Sequence, residues 1–305
     1  MLSATLSRQR GWRRNTTEMY PQPAWVPWIS SYGSLLVIAL IACWAYARRL
    51  APAYQIDRSH VDLAVPMVFL LSVFGARLLA AVFVDDAGVG SSFHASHVRF
   101  RLFGLLLFAA PALFIYARLS SQSFRLLADL FARPAVLWLA TLRIGCFLAG
   151  CCWGDIVAAP DGVSPTVAAP VLTLPWLSAD WIPGVSFPAG SYAFEQHLAL
   201  GLISPAATTS LPVHPTQLYE AALLVLMLAW LRVTSSGKRA IGKLALQTLG
   251  GYACLRFLLE FIRADSLAVI GPLTATQVIC LALLALVLLT GRPGRGSSPR
   301  IRTSS

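Results

Sequence analysis

The chain is poor in charged residues. Asp, Glu, Lys and Arg make up 12% of its 305 residues, whereas a soluble domain of this length carries about 25%. Hydrophobic residues make up 57% of the chain, and the mean hydropathy is +0.67. This composition argues against a soluble globular protein and indicates a membrane protein.

Several patterns that would indicate other protein classes are missing. The six cysteines lie within or at the ends of apolar stretches, unlike a secreted disulfide framework, and no CxxC pair with a distant second pair suggests a zinc site. The net charge is +11, but the basic residues form no single run or face, so we expect no nucleic-acid partner. No internal repeat is visible, which disfavours an inverted-repeat transporter. The first apolar run is followed by Arg48 and Arg49 rather than by a small-residue cleavage site, which predicts a retained first span.

Long apolar segments are abundant. A spanning helix needs about 20 mostly apolar residues, and the segments that satisfy this are 30–49, 62–84, 100–118, 134–153, 216–234, 241–262 and 273–291. The predicted fold is therefore all-α, a polytopic membrane helix bundle of about seven transmembrane helices.

A long segment without a membrane span separates the fourth and fifth predicted helices. Residues 155–213 are rich in Pro, Gly and Ser, and they also contain Trp176, Trp181, Phe187, Tyr192 and Phe194. This aromatic content favours a folded cap over a disordered linker. The predicted layout is a tail (1–28), helices 1–4 (29–154), the cap (155–213), helices 5–7 (214–292) and a second tail (293–305).

The distribution of Lys and Arg between the loops predicts the orientation. Loops on one side of the predicted bundle hold most of these residues, so this side should be cytoplasmic and the cap extracytoplasmic. The tail sequence "RQRGWRRN" would have to be translocated under this scheme. We therefore expect Met19 to be the natural start.

Three arginines lie inside predicted spans, namely Arg77, Arg143 and Arg256. Placing an Arg at a helix centre costs roughly 2.5–3.5 kcal/mol, and such residues are usually functional. Arg77 lies near the end of its span and fits a structural or a functional role equally well. A functional role is favoured for Arg143 and Arg256.

The sixth predicted span carries a charged stripe. Tyr252, Arg256, Glu260 and Arg263 lie at i, i+4, i+8 and i+11, on one face of a helix. The stripe could neutralise itself, but it holds two cations and one anion, and Arg143 adds a third cation. This positive excess predicts an anion site, and Arg suits phosphate oxygens because it can bind them with two hydrogen bonds. In a membrane, the abundant phosphate is a lipid head group.

The fifth predicted span starts with "LPVHPTQLYEAALL". His214 stands at the predicted N-cap, followed within two turns by Gln217, Tyr219 and Glu220. The pattern fits a capped helix start with interfacial polar residues, and it also fits a cluster of donors and acceptors that contacts a substrate.

The end of the fourth predicted span is rich in small residues: Gly145, Cys146, Gly150, Cys151, Cys152 and Gly154. The GxxxG pair in this set favours helix packing over a phosphate loop. The three cysteines could form a redox or metal site, but on a continuous helix they would not share one face, and cysteine is common as a small apolar residue. We therefore expect no metal site.

Three segments together resemble a known family. "LRIGCFLAGCCWG", "HPTQLYE" and "RFLLEFIR" are similar, in order and spacing, to signature segments of the prolipoprotein diacylglyceryl transferase family. "YPQP…SYGSLL", "GARLLAAVF" and "LTATQVICL" extend the resemblance over nearly the whole chain from Met19. "HPTQLYE" is the most specific of these segments.

The resemblance implies a multi-pass enzyme of the bacterial inner membrane. Such an enzyme moves the diacylglyceryl group of phosphatidylglycerol to the lipobox cysteine of a prolipoprotein signal peptide. It forms a thioether and releases glycerol phosphate. Membrane lipid and prolipoprotein are thus the expected partners, and no metal or organic cofactor is expected.

The resemblance also implies roles for individual residues. Arg143 matches the phosphate-binding arginine, Arg256 a second arginine, and Glu260 would orient Arg256. The implied catalytic residues are Arg143, Arg256, Glu260, His214 and Tyr219. The implied substrate-binding residues are Arg143, Arg256, Arg263, Gln217, Glu220, Tyr252, Gly145 and Gly154.

Two alternatives stay open. The chain could be a diverged homologue that binds anionic phospholipid without turning it over. It could also be a related transferase with another acceptor.

Overall fold

The chain folds into helices over most of its length. The computed structural model describes residues 31–83, 98–157, 184–235, 237–263, 268–291 and 300–303. The N-terminal tail with Met19, the cap residues 158–183 and most of the C-terminal tail lie outside the described residues.

The described helices follow the predicted apolar segments. In chain order they are α1 (Ser31–Leu50), α2 (Arg58–Phe83), α3 (Val98–Leu119), α4 (Phe124–Leu148), α5 (Tyr192–Ala199), α6 (Thr216–Thr234), α7 (Lys243–Leu259) and α8 (Ala275–Thr290). Short 3-10 turns follow α1 at Ala51–Tyr54 and α7 at Glu260–Ile262. Every predicted span overlaps one of these helices, although α4 begins and ends earlier than the predicted 134–153, and α5 is an additional short helix.

Four of the described helical segments are long and apolar enough to cross a membrane: Tyr32–Tyr54, Arg58–Leu78, Phe124–Leu148 and Thr216–Thr234. Large apolar side chains on their surfaces are exposed, among them Leu70 at 65%, Phe74 at 68% and Leu226 at 65%. Such surfaces are suited to contact with lipid tails. The chain is thus a mostly helical membrane protein, and membrane crossing by α3, α7 and α8 stays a prediction.

Short strands accompany the helices. β1 (Gly237–Ala240) pairs antiparallel with β4 (Arg300–Thr303), and β2 (Ala268–Ile270) pairs antiparallel with β3 (Leu273–Thr274). The expected all-α class is therefore refined to a mostly helical one.

The chain divides into two compact units. The first consists of Met1–Leu40, Val136–Ala229 and Leu249–Arg292. The second consists of Ile41–Ala135, Trp230–Thr248 and Pro293–Ser305. All the catalytic and substrate-binding residues that we predicted belong to the first unit, whereas Arg77 belongs to the second.

In the first unit, the described part of the cap has its own apolar core. Trp153, Ile156, Phe187, Ala193 and Val213 are each at most 4% exposed and pack together. Backbone bridges pair Ile156 with Val213 and Val185 with Val213, which joins three extended segments around this core. The described part of the segment is therefore folded, as its aromatic content predicts.

In the second unit, one half-buried and one buried carboxylate connect helices. Asp62 of α2 lies 2.9 Å from the Arg48 guanidinium of α1. Asp129 of α4 accepts hydrogen bonds from the backbone N–H groups of Gly242 at 2.6 Å and Ala245 at 2.8 Å. Asp129 thus satisfies N–H groups at the start of α7, which have no partner within their own helix.

Candidate active site

The helix that carries Arg143 ends earlier than predicted. α4 stops at Leu148, whereas the apolar pattern continues to residue 153. Gly150 adopts a positive φ of 64° directly after the helix, a conformation that favours glycine. The predicted helix-packing role of the GxxxG pair is therefore wrong, because Gly150 and Gly154 both lie beyond the helix.

Gly154 allows three segments to approach closely. Its N–H donates to the His214 carbonyl at 2.8 Å, and it forms a bridge with Arg263. A Cβ atom at this position would lie 2.6 Å from Thr216 Cγ2 and 2.7 Å from the Ile262 carbonyl oxygen. Gly154 thus holds the segment after α4 between the start of α6 and the end of the turn after α7. Gly145 remains within α4, where it packs against Tyr32 and Leu35 of α1.

Arg143 forms a buried ion pair with α6. Its Nη2 atom lies 2.8 Å from Glu220 Oε1, and both side chains are 3% exposed. Tyr252 of α7 donates to the same Glu220 oxygen at 3.4 Å. Arg143 Nε is buried and has no hydrogen-bond partner within the described part of the chain. A buried donor of this kind costs free energy unless a ligand satisfies it.

Arg256 belongs to a second buried group of charges. Glu260 Oε2 lies 2.8 Å from Arg256 Nη2 and 3.9 Å from Arg263 Nε. Thr274 donates its hydroxyl hydrogen to the other Glu260 oxygen at 3.0 Å. Arg256 Nη1 is buried and, among the residues that the structure describes, has no hydrogen-bond partner.

The charged stripe does not lie on one continuous helix. α7 ends at Leu259, Glu260 starts a 3-10 turn, and Arg263 is extended with φ −88° and ψ 124°. The predicted i, i+11 relation between Tyr252 and Arg263 is therefore wrong as helical geometry. The turn nevertheless brings Arg263 back to Glu260, so the order Arg, Glu, Arg is kept in space.

Tyr252 connects the two charged groups. It is hydrogen-bonded to the Arg143 side chain and lies within electrostatic range of both Arg143 and Arg256. Three guanidinium groups face two carboxylates here, and every one of these side chains is at most 9% exposed. These five described side chains carry one more positive than negative charge, which favours an anion. We call Arg143, Glu220, Tyr252, Arg256, Glu260 and Arg263 the arginine cluster.

The residues at the start of α6 divide into two sets. His214 lies in an extended segment rather than at the predicted N-cap, because α6 begins at Thr216. Its backbone N–H donates to the Asp155 carbonyl at 3.0 Å, and its Nδ1 lies 3.3 Å from the Tyr219 hydroxyl. His214 and Tyr219 are thus brought together, as a polar cluster requires.

Gln217 and Thr216 contact the chain after α4 instead. Gln217 donates its side-chain amide to the Cys151 carbonyl at 2.6 Å, and Thr216 donates its hydroxyl to the Cys152 carbonyl at 2.7 Å. Gln217 is 1% exposed. These contacts fix the backbone of the segment that follows Arg143.

The three cysteines of this segment converge. The sulfur atoms of Cys146, Cys151 and Cys152 all lie within 4.8 Å of one another, because the chain turns back after Leu148. The prediction that they share no common face is therefore wrong, since it assumed a helix through residue 153. We call this group the thiol cluster, and it could hold a metal ion.

Sequence reasoning missed three residues near these groups. Thr274 binds Glu260, and the sequence signal was its capping box with Gln277 at the start of α8. Tyr32 of α1 lies within electrostatic range of Arg143 and of the thiol cluster, and its sequence signal was its place in the family-like segment "SYGSLL". Asp155 is half-buried, and its carboxyl group has no side-chain partner in the ranges described. Burial raises the pKa of Asp155 from 3.8 to about 7.

Comparison with known proteins gives one consistent family. The family model of prolipoprotein diacylglyceryl transferase matches residues 26–290. The phosphatidylglycerol–prolipoprotein diacylglyceryl transferase of Methylococcus capsulatus is 29% identical over 292 residues, covering 88% of this chain and 92% of the relative. That of Nitratidesulfovibrio vulgaris is 30% identical over 284 residues, covering 86% and 89%. That of Dehalococcoides mccartyi is 25% identical over 269 residues, covering 86% and 87%.

Proposed function

The chain belongs to the prolipoprotein diacylglyceryl transferase family, and we propose that its arginine cluster binds the phosphate of the lipid donor during transfer. The protein is a transferase of lipoprotein biosynthesis that moves a diacylglyceryl group from phosphatidylglycerol to a prolipoprotein. Its own residues must therefore recognise an anionic head group within the membrane.

Arg143 and Arg256 together bind the phosphate diester of phosphatidylglycerol. Each has a buried N–H group without a protein partner in the described structure, and each is fixed by a carboxylate at 2.8 Å. The carboxylates hold the guanidinium groups in place, and the unused donors suit phosphate oxygens. Tyr252 lies within range of both arginines and supplies a third polar group.

The reaction joins sulfur to carbon. The thiol of the lipobox cysteine loses its proton, and its sulfur attacks the glycerol carbon that bears the phosphate ester. A thioether forms, the carbon–oxygen bond breaks, and its electron pair leaves with glycerol phosphate. Negative charge grows on the departing phosphate, so arginines fixed in a low-dielectric site stabilise the transition state more than the ground state.

His214, Tyr219, Glu220 and Gln217 form the polar surroundings of this site, together with Gly145 and Gly154. Gln217 and Gly154 act by holding the backbone after α4. Because Lys and Arg are concentrated in the loops of the opposite side, we place this end and the cap on the extracytoplasmic side of the bacterial inner membrane. Seven spans with the cap between the fourth and fifth complete the proposed topology.

The observation that supports this proposal best is the pair of buried arginines with unused donors that share Tyr252. The test uses the purified protein with phosphatidylglycerol and a lipobox peptide. Mass spectrometry would detect the thioether lipopeptide, and a second assay would quantify glycerol phosphate. We expect Arg143→Ala to lower the rate by about 10²–10³-fold, the loss that follows removal of one charge-stabilising donor.

Arg118 offers a matched control, because it is an exposed arginine at the end of α3. Arg118→Ala should transfer at the wild-type rate. Wild-type turnover by Arg143→Ala would contradict the proposed role. Binding of phosphatidylglycerol without any transfer by the wild type would instead indicate a lipid-binding homologue.

A further inference from the structure

Arg133 is a further arginine inside a candidate membrane span. The sequence predicts that the fourth span begins at residue 134, but α4 begins at Phe124, and the apolar segment long enough to cross the membrane is Phe124–Leu148. Arg133 therefore lies inside this segment, in the second compact unit. An arginine in such a position is costly unless partners compensate its charge.

The described partner of Arg133 is neutral. Its Nη1 atom donates to the Ser235 hydroxyl oxygen at 3.2 Å. Its Nε atom is buried and has no hydrogen-bond partner in the described part of the chain. The ion pairs between described residues do not include Arg133. The guanidinium edge that carries Nε and Nη2 is thus available to a ligand, and this edge can bind an oxyanion with two parallel hydrogen bonds.

The acidic residue of α4 is engaged elsewhere. Asp129 lies one turn before Arg133, and its two oxygen atoms accept hydrogen bonds from backbone N–H groups at the start of α7, at 2.6 and 2.8 Å. Two exposed basic residues, Arg125 and Lys243, lie at the same ends of these helices. A Cβ atom at Gly242 would lie 3.5 Å from Arg125 Cβ, so the two helix ends are close. Such surroundings favour an anionic ligand.

The level of Arg133 in the membrane suits a lipid head group. The 19 residues of α6 span about 28 Å at about 1.5 Å per residue, close to the thickness of the hydrocarbon core. Ser235 directly follows this helix, so its contact with Arg133 places the guanidinium where α6 leaves the hydrocarbon core. Trp230 is 46% exposed and Val233 is 77% exposed on the last turns of α6. An exposed tryptophan is typical of a membrane interface.

We infer that Arg133 binds the phosphate of an anionic phospholipid at the membrane surface where α6 ends. In the proposed topology this surface belongs to the cytoplasmic leaflet. The phosphate oxygens accept hydrogen bonds from Nε and Nη2, while Nη1 stays on Ser235. The acyl chains lie against the exposed apolar side chains of α6.

This lipid is distinct from the lipid donor of the transfer reaction. Arg133 belongs to the second compact unit, whereas the arginine cluster belongs to the first. No bond of the lipid is made or broken at Arg133, and its charge compensates a cation that would otherwise be costly in the membrane. The inference goes beyond the proposed function and does not depend on it.

Thermal unfolding provides the first test. In neutral detergent without phospholipid, Arg133→Met should have a Tm at least as high as the wild type, because an apolar side chain replaces a cation whose described partner is neutral. Added phosphatidylglycerol should raise the Tm of the wild type and of Arg118→Met, whose arginine is exposed at the end of α3. It should raise the Tm of Arg133→Met less. Since all three proteins keep the arginine cluster, lipid binding there contributes equally to them.

Two results would overturn the inference. One is an equal rise in Tm for Arg133→Met and Arg118→Met. The other is an Arg133→Met protein with a markedly lower Tm than the wild type before lipid is added, which would show that the contact with Ser235 serves the fold alone. Should Arg133→Met not fold, Arg133→Lys gives the comparison, because lysine keeps the charge but cannot bind an oxyanion with a planar fork. Arg133→Lys should then gain less Tm than Arg118→Lys, and an equal gain would overturn the inference.

Native mass spectrometry tests the chemistry of the ligand. With phosphatidylglycerol in the detergent, Arg133→Met should bind one lipid about 10–100-fold more weakly than Arg118→Met, the loss expected when charge-assisted hydrogen bonds are removed. Diacylglycerol has acyl chains but no phosphate, and it should bind equally to both variants. Equal binding of phosphatidylglycerol would overturn the inference, as would a difference between the variants with diacylglycerol. Inorganic phosphate alone should not raise the Tm of the wild type above that of Arg133→Met, and a rise of that kind would assign the site to a free anion.

Discussion

Arg143 Nη2 lies 2.8 Å from Glu220 Oε1, and both side chains are 3% exposed. A buried pair of this kind adds little net stability, because the desolvation of two charges offsets their attraction. Removing one partner is costly, however, because it leaves the other charge buried and unpaired. Single and double substitutions of this pair should therefore affect stability and activity to different extents.

Glu220→Ala should destabilise the protein by about 3–5 kcal/mol, since Arg143 then loses its carboxylate. Replacing both partners, as Arg143→Met with Glu220→Leu, should recover most of that loss because neither buried charge remains. The double variant should nevertheless lack transfer activity. Unfolding in detergent and the lipopeptide assay together measure both effects. An active double variant would show that the pair serves only the fold.

Arg256→Lys should lower the transfer rate although it keeps the charge. A lysine has no planar fork, so it cannot bind Glu260 and a phosphate oxygen at once in the manner of a guanidinium. We expect a loss of about 10²-fold in kcat/KM. Arg118→Lys, on the exposed end of α3, should be unaffected. Equal rates for the two variants would argue that Arg256 supplies only charge.

Thr274→Val should affect stability and activity together. The hydroxyl caps α8 by accepting from the Gln277 N–H at 3.2 Å, and it also donates to Glu260 at 3.0 Å. Loss of an N-cap costs about 0.5–2 kcal/mol, and a freed Glu260 should hold Arg256 less firmly. Thr274→Ser retains the hydroxyl and should behave like the wild type in both unfolding and transfer assays. A Thr274→Val protein of wild-type stability would contradict the capping role.

Gly154→Ala should be poorly tolerated. The added methyl would lie 2.6 Å from Thr216 Cγ2 and 2.7 Å from the Ile262 carbonyl, so the segments around the site must move apart. Overpacking of this kind costs about 1–3 kcal/mol. Gly250→Ala in α7 is the control, because its methyl would lie 3.4 Å from Val287 Cγ1 and alanine favours the helix by about 1 kcal/mol. A Gly154→Ala variant as stable as Gly250→Ala would refute the close approach.

Asp155 should make stability depend on pH. Burial raises the pKa of Asp155 from 3.8 to about 7, so between these values the folded chain holds a proton that the unfolded chain releases. Stability therefore falls as pH rises through this range and stays lower above about pH 7. Asp155→Asn should reduce the difference in Tm between about pH 4 and about pH 8. The variant keeps Arg263 and His214, which lie on the segments hydrogen-bonded to this one.

Asp57 provides the control for this measurement. Its exposed carboxylate accepts from the Ser59 N–H, which lowers the pKa of Asp57 from 3.8. Asp57→Asn should therefore leave the decline of Tm toward high pH in place. An Asp155→Asn protein with the same pH profile as the wild type would show that another group titrates.

The helices and the charged residues of the site were predictable because each follows from one energetic cost that the local sequence reveals. Apolar length locates the seven helices, and the cost of a buried charge marks Arg143 and Arg256 as residues that need partners. Glu260 follows from its i+4 spacing to Arg256, which the structure confirms as a contact of 2.8 Å. These inferences need only local sequence.

The thiol cluster and the turn after α7 were not predictable in this way. The apolar pattern through Trp153 does not reveal that the helix stops at Leu148, because left-handed conformations at Gly150 and Cys152 leave no apolar signature. Likewise, the sequence predicts Gln217 only as a polar residue at a membrane boundary. In the structure its side chain binds a backbone carbonyl 66 positions earlier in the chain. Contacts between distant segments determine both features.

Asp129 has a consequence for biosynthesis. The first turn of α7 follows Gly242, which has no side chain of its own to bind the N–H groups there, and the carboxylate that does so comes from a helix 113 residues earlier. A nascent α7 that leaves the ribosome finds this acceptor only if α4 has already been inserted. The order of synthesis therefore supplies the acceptor first, and an Asp129→Ala chain should accumulate with its C-terminal third open to proteases.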